Sequence, residues 1–181
     1  MKYAALVVCV LVLAAAGCGG GGGTSAEEAW AEEVCASIAA WKTEVETITS
    51  EAADAVTEPG ATRADVEQAV DEGLAATKTL VEELRAAVPP DTPQGDEAQA
   101  AVEAFLDDVS AANDEVETAL AALPESAGLS EVVSELGRLA LTLQTTIAQG
   151  LRLADELAAL GGALKDGVEN ADSCQDLRAD R

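Results

Sequence analysis

The side chains of this 181-residue chain that could do chemistry are four thiols and a large excess of carboxylates. The chain has no histidine, so no Ser-His or Cys-His pair exists to generate a nucleophile. Glu32-Glu33, Glu82-Glu83 and Asp107-Asp108 are paired carboxylates of the type used in general acid-base work. Neighbouring residues on a helix point about 100° apart, so these pairs do not converge on one substrate, and solvated helix faces are the plainer reading. The sequence contains no glycine-rich phosphate loop followed by lysine and no Asp-x-Asp-x-Asp-Gly calcium loop. No catalytic residue, metal site or cofactor is expected, and the chain reads as a non-enzyme.

Position sorts the thiols. Lys2 precedes an apolar run from Tyr3 to Ala16 that contains Cys9 and is too short to cross a bilayer as a helix. The run closes on Leu11-Val12-Leu13-Ala14-Ala15-Ala16-Gly17-Cys18, whose small-small-Gly-Cys ending resembles a bacterial lipobox. That resemblance implies a signal peptide over residues 1–17 and a diacylglycerol on the sulfur of Cys18. Residues 18–25 are then the lipidated cysteine and its Gly-rich tether, with a root-mean-square span of roughly 15 Å, and residues 26–181 form the domain. The expected location is the outer face of the cytoplasmic membrane, with the membrane itself as partner through the lipid.

Cys35 and Cys174 are left as a pair in an oxidising compartment, where a disulfide is the expected outcome. A zinc site fails for want of histidine or further thiols to complete a tetrahedral set. The net charge of −24 argues against nucleic acid and against docking on anionic headgroups, since both need Lys and Arg.

These cysteines must be held by helices, because Ala, Leu and Glu dominate and aromatics make up only 2% of residues. Apolar residues spaced by three and four mark four segments. The first, 26–57, carries Trp30, Val34, Ile38, Trp41, Val45 and Ile48 and is stopped by Glu58-Pro59-Gly60. The second opens with Thr62 and Asp65 as an imperfect capping box and runs through Val66, Val70, Leu74, Thr77, Val81, Leu84 and Val88 to Pro89-Pro90. Thr92 then caps a third helix with Pro93 at its first position, and its stripe includes Ala98, Val102, Phe105, Val109, Ala112 and Val116. The fourth begins near Ser130 and carries Val133, Leu136, Ala140, Leu143, Ile147, Ala154 and Leu157 up to Gly161-Gly162.

Short connections predict an all-α, antiparallel up-down-up-down four-helix bundle and a monomer. Cys35 lies roughly 12 Å up from the start of the first helix. Cys174 reaches it only if the chain bends at Gly161-Gly162 and rises as a short fifth helix over 163–172. Trp30 and Trp41 sit on the seam, which predicts core packing and not carbohydrate binding. Abundant Ala and Val predict close helix approach and little interior volume; a slot lined by Leu, Val and Phe105 would instead mark a ligand carrier.

Trp30, Cys35, Trp41-Lys42 and the segment Ala171-Asp172-Ser173-Cys174-Gln175-Asp176-Leu177 resemble the ends of a Trp- and Cys-marked group of small exported lipoproteins from actinobacteria. The resemblance spans about residues 29–177 and implies a helical, disulfide-closed chain; it brings no activity. The expected role is therefore structural or protein-interacting in the cell envelope, with an unidentified envelope protein as possible partner. The alternative is a small apolar-ligand or lipid carrier at the membrane.

Overall fold

The computed structural model describes residues 24–124 and 126–179, so the expected signal peptide, Cys9, Cys18 and Gly19–Gly23 lie outside the described residues. All regular structure among the described residues is helical: α1 (Ala26–Ala55), α2 (Arg63–Ala86), α3 (Pro93–Ala122), α4 (Leu129–Ala159), α5 (Gly162–Asn170) and α6 (Asp172–Ala179). No helix among the described residues is long and apolar enough to cross a membrane.

Local chemistry sets the starts. Ser25 caps α1 by accepting a hydrogen bond from the Glu28 N–H at 3.0 Å, with Glu27 and Glu28 placed at the positive end of the helix dipole. At α2 the capping box is complete: Thr62 accepts from the Asp65 N–H, and the Asp65 carboxylate accepts from the Thr62 N–H at 2.8 Å. That carboxylate, hydrogen-bonded to both the side chain and the backbone of Thr62, is held below its ordinary pKa. Thr92 caps α3 by accepting from the Gly95 N–H at 3.0 Å, with Pro93 in the first turn as expected. Helix α4 begins at Leu129 behind Gly128, with no side-chain cap.

The ends depart from expectation in three places. Helix α1 stops at Ala55, two residues short of the expected Thr57. Helix α2 stops at Ala86, because Pro89 and Pro90 disfavour helical backbone in the residues before them; Ala87 is already extended, and Val88 is 81% exposed instead of buried on the seam. Past the glycines the expected single helix over 163–172 is two, since Ala171 is extended and Asp172 starts α6. The reversal between α4 and α5 falls on Gly161 (φ 78°) and Gly162 (φ 61°), left-handed backbone that glycine adopts without steric cost.

The disulfide joins Cys35 of α1 to Cys174 of α6 with Cα atoms 5.0 Å apart, and both cysteines are fully buried. Glu32, one of the paired carboxylates, supports it by accepting from the Ser173 N–H at 3.0 Å and the Ser173 hydroxyl at 2.6 Å. Its role is to tie the start of α6 to α1. Helices α5 and α6 pack against both α1 and α4 and stand between them, so α1 and α4 touch each other little. Helix α1 packs chiefly on α2, and α3 on α4, where Gln149 donates to Asp108 at 3.0 Å and Arg138 to Glu115 at 3.1 Å.

The core has two parts. The larger contains Trp30, Ile38, Trp41, Phe105, Leu157 and Leu177, in the half of the molecule that holds the disulfide. A small cluster of Val66, Ala127 and Val132 closes the far end. Both tryptophans are core residues, as their seam positions predicted. Their indole N–H groups differ. Trp30 Nε1 is buried with no hydrogen-bond partner, whereas Trp41 Nε1 donates to Thr77 Oγ1 at 3.2 Å. Thr77 in turn donates to the Gly73 carbonyl at 2.8 Å. Thr77→Val keeps the shape but orphans the Trp41 N–H, and denaturant unfolding is expected to show a loss of about 1–3 kcal/mol.

Candidate functional site

Between the two parts of the core lies an apolar cleft of about 300 Å³. Its walls come from the C-terminal half of α1 (Val45, Ile48, Ala52), the N-terminal half of α2 (Val70, Leu74), Val116 of α3, and the N-terminal half of α4 (Val133, Ala140, Leu143). The close packing expected from Ala and Val therefore holds only over the disulfide half. There Gly150 of α4 lies so near α1 and α3 that a Cβ would sit 3.1 Å from Ile38 and 3.2 Å from Phe105. Phe105 is thus part of the closely packed half and does not line the cleft.

The cause of the cleft is visible in the helix order. Helices α5 and α6 fill the gap between α1 and α4 near the disulfide, and among the described residues no element fills it further down. Glycines and alanines are interspersed among the larger side chains that face that gap. Gly73 of α2 and Gly137 of α4 both line it, and a Cβ built on either meets nothing within 4 Å. A glycine inside a helix costs about 1 kcal/mol relative to alanine. At Gly150 and Gly167 close neighbours account for that cost; at half-buried Gly73 and exposed Gly137, at the cleft's edge, open space stands where a side chain would go.

Helix α4 lies where the sequence placed it: its C-terminal half buries the expected Ala154 and Leu157 in the core, whereas its N-terminal half buries the neighbouring row. Val132, Leu139, Thr146 and Leu153 are buried, while Val133, Ala140, Leu143 and Ile147 are half-buried, and the first three of these line the cleft.

The polar groups at the cleft are few. Thr49 and Thr77 line it with hydroxyls that already donate to the Val45 and Gly73 carbonyls at 2.7 and 2.8 Å. Asn113 of α3 supplies the amide, and it is half-buried. On the outer faces of the helices that wall the cleft, Lys42 pairs with Glu46 at 3.1 Å, Lys78 with Glu117 at 3.4 Å, and Arg138 with Glu135 at 2.7 Å and Glu115 at 3.1 Å. The hydrogen bond from Arg138 holds the Glu135 carboxyl below its ordinary pKa and raises that of the guanidinium.

The remaining residues that could do chemistry do not assemble. Glu33, Glu82, Glu83, Asp107 and Asp108 are exposed. Among the described residues no group of three or more His, Cys, Asp or Glu is placed to hold a metal ion. A cleft of this size with apolar walls and a few polar groups has the character of a small-molecule site. It was not legible in the helical stripes, because volume depends on what fails to fill a gap; interior Gly73 and Gly137 on otherwise continuous helices were the one signal available. Comparison with protein-family models, curated proteins and solved structures found no match to this chain.

Proposed function

We propose that the mature protein is a lipid-anchored, extracytoplasmic helical protein that holds a small apolar ligand at the membrane, without catalysing a reaction. The cleft of about 300 Å³ carries this reading. In the proposed architecture α1 to α4 form an antiparallel up-down-up-down bundle that α5 and α6 wedge open, with residues 26–181 as one monomeric domain. The α3–α4 contacts support the antiparallel course, since Asp108 meets Gln149 and Glu115 meets Arg138. The anchor rests on Ala16-Gly17-Cys18 and the glycine run Gly19–Gly23, which would keep the cleft within reach of the bilayer from which a ligand could come. A second reading, a structural or protein-interaction module for an envelope protein, draws on Val88 and Leu141, which are 81% and 64% exposed.

The test is binding of N-phenyl-1-naphthylamine, an uncharged dye that brightens in apolar surroundings, to the full chain and to its Gly73→Leu/Gly137→Leu variant. The two leucines occupy the cleft from facing helices and leave the rest of the surface, and the lipid, unchanged. One saturable site per chain that the variant lacks is the expected result. Equal binding by both proteins would refute the carrier reading.

A further inference from the structure

We infer that the cleft's occupant is a single-chain amphiphile of about a dozen carbons with an uncharged, hydroxyl-type head, and that the negative charge of the surrounding helices disfavours the anionic counterpart. This rests on the carrier reading and adds the ligand's class to it. The chain length follows from volume. A dry engineered cavity of about 150 Å³ takes the six carbons of benzene, so twice that volume takes roughly twelve. The cleft measures about 300 Å³, and its walls are Val, Ile, Leu, Ala and Gly apart from Thr49, Thr77 and Asn113.

The head is set by the few polar groups and by the charges around them. Asn113 can both donate and accept, which suits a hydroxyl, while the two threonine hydroxyls have already committed their protons to backbone carbonyls. A carboxylate or phosphate would need a cation. The three within a helical turn, along the sequence, of the lining residues are Lys42, Lys78 and Arg138, and each is paired with at least one carboxylate. Each helix that walls the cleft also carries exposed acids within a few sequence positions of its lining residues: Glu51 and Asp54 on α1, Asp71 and Glu72 on α2, Asp114 on α3, Glu131 on α4. The whole chain carries −24. An anion entering here gives up water, gains no free partner and meets a field of its own sign. A neutral head avoids all three penalties, and a cationic head only the last two.

The experiment is displacement of N-phenyl-1-naphthylamine from the full chain at pH 8 by 1-dodecanol, dodecyltrimethylammonium and dodecanoate, which share one chain and differ in the charge of the head. Dodecanol is expected to displace the dye at the lowest concentration. Dodecanoate is expected to need at least tenfold more than the ammonium compound, a gap that 0.5 M NaCl narrows by screening the surrounding acidic surface. Asn113→Leu is expected to raise the dodecanol concentration needed for displacement three- to tenfold relative to the dye affinity measured on the same variant. Dodecanoate binding as tightly as either other compound would overturn the inference and leave the carrier reading standing. Failure of the dye and all three amphiphiles to bind would overturn both.

Discussion

Replacing both bridge cysteines, Cys35→Ala with Cys174→Ala, is expected to lower the free energy of unfolding by about 2–5 kcal/mol. The bridge spans 139 residues of sequence, nearly the whole described chain. In the chain-entropy model, a cross-link over so long a loop removes enough freedom from the unfolded state to stabilise the fold by about 5 kcal/mol, from which any native strain subtracts. The native contacts around it do not vanish with it. Glu32 still accepts two hydrogen bonds from Ser173, and Leu164, Val168 and Leu177 still bury against the larger core. Helical circular dichroism at 25 °C is therefore expected to be little changed, with the denaturation midpoint shifted and amide exchange rising first in α5 and α6, the elements tied last. Reduction of the unmodified protein should reproduce the shift. A change below 1 kcal/mol would mean that the cross-link constrains nothing the core does not already hold.

Two glycine-to-alanine substitutions are expected to act with opposite sign. Gly167 lies in α5 against the first turn of α1, and a Cβ there would sit 2.7 Å from the Glu27 carbonyl carbon and 2.8 Å from the Glu28 nitrogen. Both neighbours are backbone, so neither can rotate away, and α5 would have to lift off α1 while α6 stays bonded to it through Cys35. Overpacking of this kind costs about 1–3 kcal/mol, more than the roughly 1 kcal/mol that alanine gains in helix propensity. Gly167→Ala is expected to destabilise the protein by about 1–2 kcal/mol net, the clash being with backbone that cannot move aside. At Gly137 the added methyl meets nothing within 4 Å, so Gly137→Ala gains the propensity alone and is expected to stabilise by about 0.5–1 kcal/mol. Urea midpoints of the two variants, measured beside the parent, check both signs. Destabilisation by Gly137→Ala would show that the space beside α4 is not open.

How much of this was readable in sequence depended on how much each side chain alone decides. The capping box at Thr62, the proline start at Pro93 and the reversal at Gly161-Gly162 are local choices, and each fell where residue type put it. The α1 and α3 stripes were legible because each is a single row of large residues, such as Trp30, Ile38 and Trp41 or Val102, Phe105 and Val109. Helix α4 has two adjacent apolar rows one residue apart over its N-terminal half, and periodicity cannot say that Val132 and Leu139 are buried there while Val133 and Ala140 are half-buried. Helix α6 went unseen because its eight residues are too few for a period, although Asp172 and Ser173 have the types that begin helices. The bridge was found by elimination among four thiols. The cleft was not found, since it follows from α5 and α6 parting α1 from α4, a relation among elements that no single stripe records.

The central question is whether the cleft takes an apolar ligand. Amide spectra of the ¹⁵N-labelled protein titrated with 1-dodecanol test this most directly, because Gly73 and Gly137 line the cleft while Gly167 lies at the disulfide end. The predicted result is saturable shifts at Gly73, Gly137, Asn113 and Thr77 with Gly167 unmoved. Shifts scattered over the outer helix faces, or none at Gly73 and Gly137 at saturating dodecanol, would contradict it.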